Sequence, residues 1–368
     1  MNLLKTLKIQ SIHIIIYFLL IFFTTTIAGA KSYPSLYRGV RPLGMGGAFT
    51  AVADDENALF YNPAGLSNID KFSIGLINPL IEVSEKSIDL INDVQDTDMD
   101  DTGETSDLLR EYVGEPQHVR VGLFPYVGFN IANVGAMIGG MAQGTLDAEI
   151  RNPPWPEAHV DFIKDIGLFG GAGLKLPFQG VRIGATLKMI NRESLEEMYT
   201  AADIADDDFE DMLEDDLNSG SGFSADIGAI YTLPFKKIVK TDIGLTIQNI
   251  PEMDMGDAAD VKTQANLGVA VQKSFAKFTL IGALDYKDIS HNIGEDDDHY
   301  KRIHMGTELQ FPVVFAIRAG LNQGYYSAGA SLDLWFFKFD VATYGEEVGA
   351  HAGQKEDRRY VGQFSFGW

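Results

Sequence analysis

Much of the second half of the chain is written in period two. Ile243, Leu245 and Ile247 fall on one parity, and Asp242, Gly244, Thr246 and Gln248 on the other. Leu267, Val269 and Val271 oppose Asn266, Gly268, Ala270 and Gln272. Phe315, Ile317, Ala319 and Leu321 oppose Arg318, Gly320 and Asn322, and Phe337, Phe339 and Val341 oppose Lys338 and Asp340. Successive strand side chains point to opposite faces, so each run predicts a strand with one apolar and one polar side. The chain closes on the same pattern in aromatic form, with Tyr360, Phe364, Phe366 and Trp368 on one parity. The pattern predicts about fourteen strands, near 70–80, 119–130, 132–149, 160–177, 181–193, 222–234, 240–250, 263–273, 276–288, 300–311, 313–323, 324–334, 336–346 and 358–368.

Soluble sandwiches also alternate, so the connections carry more weight. Residues 81–118, 150–159, 194–221, 251–262, 289–299 and 347–357 make long gaps, and the gaps between them are short. The turn around Gly324 is the one exception. Short periplasmic turns and longer external loops mark an outer-membrane barrel, and closure leaves no open edge in lipid. An even strand count returns both termini to the periplasmic side. The predicted fold is all-β, a transmembrane antiparallel β-barrel of about fourteen strands with an apolar outer face.

Charge follows the same rhythm. Asp96, Asp98, Asp100, Asp101, Glu104 and Asp107 fall in the first long loop, Asp206 to Asp208 and Glu210 to Asp216 in the third, and Glu295 to Asp298 in the fifth. Lys236, Lys237 and Lys240 fall on the short-turn side. A net charge of −23 argues against nucleic acid, which needs clustered Lys and Arg. With no Cys among 368 residues, disulfides, thiol catalysis and Cys-ligated zinc are excluded. Asp98, Asp100 and Gly103 fit positions of an EF-hand loop, but Leu109 stands where a bidentate Glu is required, so no metal is expected. The seven His are scattered, and the sequence has no nucleophile elbow; no cofactor and no enzymatic activity are expected.

Lys5 and Lys8, the apolar run Ile12 to Phe23, and Ala28-Gly29-Ala30 read as a signal peptide over 1–30. It would direct the chain to the cell outer membrane. No later segment has the roughly twenty apolar residues of a spanning helix. A segment over 31–68 follows, then the barrel over 69–368. The segment reads Arg41-Pro42-Leu43-Gly44-Met45-Gly46-Gly47-Ala48-Phe49, then Asp54-Asp55, Leu59-Phe60-Tyr61 and Asn62-Pro63-Ala64-Gly65-Leu66. Small residues and an Asn-Pro turn suit a chain packed inside a narrow lumen.

These residues resemble the N-terminus of the FadL-like outer-membrane proteins, which include long-chain fatty-acid transporters, aromatic-hydrocarbon channels and the PorV branch. The resemblance implies a fourteen-stranded barrel with an N-terminal hatch inside the lumen. It places Gly44, Gly46, Gly47, Leu59, Phe60, Tyr61, Asn62, Pro63 and Ala64 in that hatch. The polar strand faces add Asp285, Arg302, His304, Glu308, Arg318, Asp333, Lys338 and Asp340 as inward charges. They suit a bracing network, or, at Arg302 and Arg318, an anionic headgroup site. The expected function is passive transport of hydrophobic or amphipathic small molecules such as long-chain fatty acids. The alternatives are a PorV-like binding or anchoring component for secreted protein cargo, and a structural porin. The expected partners are outer-membrane lipid, the barrel-assembly machinery through the C-terminal strand, and a hydrophobic small-molecule substrate.

Overall fold

The computed structural model describes residues 35–367 except 179, 207, 235–238, 276, 294–297 and 313. The signal-peptide reading, Lys236, Lys237 and Trp368 lie outside the described residues.

Among the described residues, sixteen strand segments form one antiparallel sheet. They are β1 (Phe72–Ile77), β2 (Leu80–Ser84), β3 (Pro116–Leu123), β4 (Tyr126–Ile131), β5 (Val134–Arg151), β6 (Glu157–Lys175), β7 (Val181–Thr200) and β8 (Asn218–Thr232). The rest are β9 (Lys240–Ile250), β10 (Gln264–Ser274), β11 (Thr279–Tyr286), β12 (Ile303–Gln310), β13 (Phe315–Asn322), β14 (Tyr325–Leu334), β15 (Phe337–Glu347) and β16 (Glu356–Gly367). β1 and β2 both pair with β16, and β3 and β4 both pair with β5. Each couple is one interrupted stave, so sixteen segments make a closed barrel of fourteen staves.

The interruptions fall at Asn78-Pro79 and Phe124-Pro125, where proline cannot donate to a ladder. Asn78 repairs the gap. Its side-chain oxygen accepts the Phe124 N–H at 2.7 Å, and its amide donates to the Phe124 carbonyl.

The outer face is apolar: Ile138, Leu168, Leu187, Leu245, Leu284 and Val341 are all exposed. Phe275, Phe278, Phe315, Trp335 and Phe336 gather at or near the short turns, as an interfacial aromatic belt does. Trp335 (φ 59°) and, at the opposite end, Gln323 (φ 53°) and Gly324 (φ 95°) close two-residue hairpins in left-handed backbone.

β5, β6 and β7 are the long staves at 18, 19 and 20 residues. A tilted strand crosses in about ten, so they continue beyond the membrane on the long-loop side. There the first long loop folds back as two helices, Glu85–Val94 and Thr102–Glu111. Ser84 caps the first and Asp101 the second, so Asp101 serves a helix end rather than a calcium loop. Leu108, Leu109 and Tyr112 cover Ile150, Ala158 and Val160 on the outward side of this extension.

Candidate functional site: the filled lumen

Residues 35–68 run through the barrel interior as short turns: a helix at Val40–Gly44, another at Ala58–Tyr61, and a 3-10 helix at Pro63–Asn68. Met45, Phe49, Leu59 and Leu66 are fully buried. Inward glycines make the room. A Cβ on Gly306 would lie 2.2 Å from the Met45 carbonyl oxygen, one on Gly184 2.3 Å from Pro63, and one on Gly135 1.8 Å from the Leu66 oxygen. Gly44 faces Gly329, and Asn62 lies against Gly228. Gly46 (φ 62°) and Gly47 (φ 82°) turn the segment in backbone that favours glycine.

Polar groups of the wall then orient it. Asp285 accepts the N–H groups of Phe49 (2.7 Å) and Thr50 (2.8 Å). His304 Nδ1 donates to the Gly46 carbonyl at 2.9 Å. Asn62 caps the 3-10 helix by accepting the Ala64 N–H (3.2 Å) and donates to the Thr50 carbonyl (2.9 Å). The firmest tie is Arg41, whose guanidinium forks onto both Glu308 oxygens at 2.9 and 2.8 Å and also meets Asp54 (2.6 Å) and Asp55 (2.8 Å). Arg318 donates to the same Glu308 (2.5 Å) and to Ser331 (2.6 Å), and Lys338 lies 3.1 Å from Asp340.

Toward the long loops a second network closes the wall. Glu82 accepts from His118 (2.8 Å), Arg120 (2.5 Å) and Tyr344 (2.7 Å). Asp147 lies 2.7 Å from His118 and 3.1 Å from Arg359. Lys188 pairs with Asp226 at 2.6 Å, and Arg192 with Asp165 at 2.7 Å.

The segment separates two cavities. One of about 760 Å³ opens toward the long loops, and Leu36, Tyr37 and Phe60 form part of its apolar wall. The other, about 580 Å³, lies toward the short turns beside Arg41, Asp55, Tyr126 and Lys338. Between them stand stacked rings: Tyr37 on Phe60 at 4.2 Å, and Phe60 edge-on to Phe124 at 4.8 Å.

Two solved structures share this architecture. A toluene transporter of Ralstonia pickettii, TbuX, superposes with a TM-score of 0.54 at 11% identity, covering 89% of this chain and 98% of its own. The CymD monoaromatic hydrocarbon channel gives 0.51 at 10% identity, covering 91% and 98%. The fold is that of these two hydrocarbon channels. Within this barrel, residues 162–333 also match the family described as "F plasmid transfer operon, TraF, protein". No curated protein matches the sequence.

The barrel brings most of the expected residues together. Gly44, Gly46, Gly47, Leu59, Phe60, Tyr61, Asn62, Pro63 and Ala64 all lie in the buried segment. Glu308, Arg318, Lys338 and Asp340 form one cluster, and His304 stands apart against Gly46. Asp333 is exposed beside the turn-side cavity, opposite Lys338 in register. Arg302 is fully buried just before β12. The strand begins at Ile303, and Arg302 ends a 3-10 turn (His299–Arg302) and donates to Asp288. The sequence reading missed Arg41 and the first-half charges Glu82, His118, Arg120, Asp147, Lys188 and Arg192. The parity that selected Arg318 would have found those on β5 to β7.

Proposed function

We propose that this protein is an outer-membrane channel for passive passage of hydrophobic or amphipathic small molecules, with residues 35–68 as its hatch. The observation that carries this is the pair of cavities on either side of a segment held inside a barrel of the hydrocarbon-channel fold. A molecule entering from the loop side would rest against Tyr37 and Phe60, and local rearrangement of the hatch would join the two spaces. The short-turn ends of β1 and β16 are assigned to the periplasm. Long-chain fatty acids are one candidate cargo, and so are small aromatic compounds. The test is uptake in a deletion strain: restored entry of a labelled hydrophobic compound on complementation is expected, and equal entry without the gene refutes transport.

The density of ion pairs around Arg41 favours a second reading, a fixed plug in a PorV-like component that binds or anchors secreted proteins. Loss of surface cargo with normal uptake in the same strain would select it. In either reading the residues named act by binding and packing, with no chemical step.

A further inference from the structure

We infer that the loop-side cavity selects amphipaths with an uncharged head that both donates and accepts a hydrogen bond, a hydroxyl or primary amide, over carboxylates. This rests on the transport reading and narrows its substrate class. The cavity is large enough for a small ligand at about 760 Å³. Its cations already have anionic or carbonyl partners. Arg38 pairs with Glu346 (3.0 Å), Arg120 with Glu82 (2.5 Å) and Lys188 with Asp226 (2.6 Å). Arg192 pairs with Asp165 (2.7 Å) and Lys262 with Glu252 (2.6 Å), while Lys301 donates to the Gly349 carbonyl (2.9 Å). An incoming carboxylate would have to displace one of these partners, and it would meet Asp147, Asp161 and Glu196 on the same lining.

Two residues of the lining each carry a buried polar atom with unmet capacity. Among the described residues, Arg120 Nε, a donor, and Gln143 Oε1, an acceptor, are buried without a partner. Both side chains are more than nine-tenths buried. They are held over one stretch of the segment: Arg120 donates to the Arg38 carbonyl (2.9 Å) and Gln143 Nε2 to the Leu36 carbonyl (2.6 Å). Arg120 is opposite Thr145, so Gln143 is its diagonal neighbour on the inward face. A buried unmet donor beside an unmet acceptor disfavours any occupant that satisfies only one. A carboxylate cannot donate to Gln143, an ammonium cannot accept from Arg120, and a hydroxyl does both. Leu36, Tyr37 and Phe60 supply the apolar wall for the body of the molecule.

The test uses the full chain in lipid nanodiscs and four probes sharing one ring: p-cresol, p-toluamide, p-toluate and toluene. Binding is measured by equilibrium dialysis, with empty discs subtracted. p-Cresol and p-toluamide should bind at least about ten-fold tighter than p-toluate, the order of one hydrogen bond plus the cost of a buried charge. Gln143→Met, checked for folding by heat-modifiable gel mobility, should narrow the p-cresol-to-toluene ratio about five-fold. Equal or tighter binding of p-toluate overturns the inference, as does an unchanged ratio in the folded variant. Binding of none of the four overturns it too. If cells expressing the protein still take up toluene in that case, the transport reading survives; if they do not, both fall.

Discussion

Glu308→Gln is the substitution that should loosen the lumen segment without loosening the barrel. Glu308 is fully buried and accepts three charged hydrogen bonds, two from Arg41 at 2.9 and 2.8 Å and one from Arg318 at 2.5 Å. Removing one charge of a buried pair costs about 3–5 kcal/mol. Arg41 keeps Asp54 and Asp55, and Arg318 keeps Ser331, so the low end, about 3 kcal/mol, applies. At 1.4 kcal/mol per decade, about 3 kcal/mol is roughly a hundred-fold rise in local opening. The whole segment should not leave, because Met45, Phe49, Leu59 and Leu66 are fully buried and each contributes about 1.5–3 kcal/mol. The strand itself keeps eight residue pairs with β11 and seven with β13. Hydrogen exchange in nanodiscs should therefore accelerate about a hundred-fold in amides of 38–57, such as Ala53 N–H on the Phe49 carbonyl, and stay unchanged in 62–69 and in β12. Unchanged exchange over 38–57 refutes the clamp. Equal acceleration in β12 refutes the separation of segment from wall.

Three further outcomes follow from the same geometry. Gly184→Ala would put a methyl 2.3 Å from the Pro63 carbonyl, a backbone contact that cannot yield cheaply; it should destabilise docking by about 1–3 kcal/mol. New protease cleavage near 60–68 with heat-modifiable mobility retained is expected, and wild-type resistance counts against the glycine seam. Asn62→Ala removes the 3-10 cap and the donor to Thr50, worth roughly 1–2 kcal/mol. Asn62→Asp restores only the acceptor, so exchange at Ala64 should recover more than exchange around Thr50; equal recovery at both contradicts the two-sided role. Asp288 lies in a loop outside the strands. Burial alone would push its carboxyl up, but bonds from Ser290, the Ile293 and Asn292 N–H groups and Arg302 hold it below the usual range. Its stabilisation is therefore full above its unfolded pKa of about 4 and fades as pH falls through the lower folded value. Exchange across 288–293 should rise in that acidic window, and Asp288→Asn should show the rise already at neutral pH.

The staves were legible because lipid enforces period two on one face and water or protein on the other. Residues 240–250 were bounded to the residue, and most other boundaries moved by a few positions. The larger misses have local causes. β7 runs on to Thr200, where Tyr199 packs edge-on to Phe209 and donates to Asp216 of the loop that follows. Asn78-Pro79 and Phe124-Pro125 break two staves, and the repair by the Asn78 amide comes from a residue distant in sequence. The helices at 85–94 and 102–111 were read as one long acidic loop, because acidic side chains dominate their surface. In the site, the glycine turn and Asn-Pro turn were visible as backbone demands. The partner of Glu308 was not, since nothing in the spacing from Arg41 to Glu308 links them; only closure of the barrel does.

Two kinds of contact hold the segment, and they restrict where it can yield. Where wall glycines meet the backbone of 63–67, at Gly135 and Gly184, neither side has a rotamer to change, so that stretch moves only with the wall. From Arg38 to Asn57 the ties from the wall include long charged side chains, Arg41 to Glu308 and Glu56 to Lys338, which can exchange partners. The rings lie beside that exchangeable stretch. Tyr37 and Phe60 line the loop-side cavity, Phe124 packs on Phe60, and Tyr126, 5.8 Å from Phe124, lines the turn-side cavity. Among the described residues this column of packed rings links the lining of one cavity to the lining of the other. On the proposed transport reading, a shift of Phe60 with its neighbours, driven by partner exchange at Arg41, would join the two cavities while the glycine seam keeps its place.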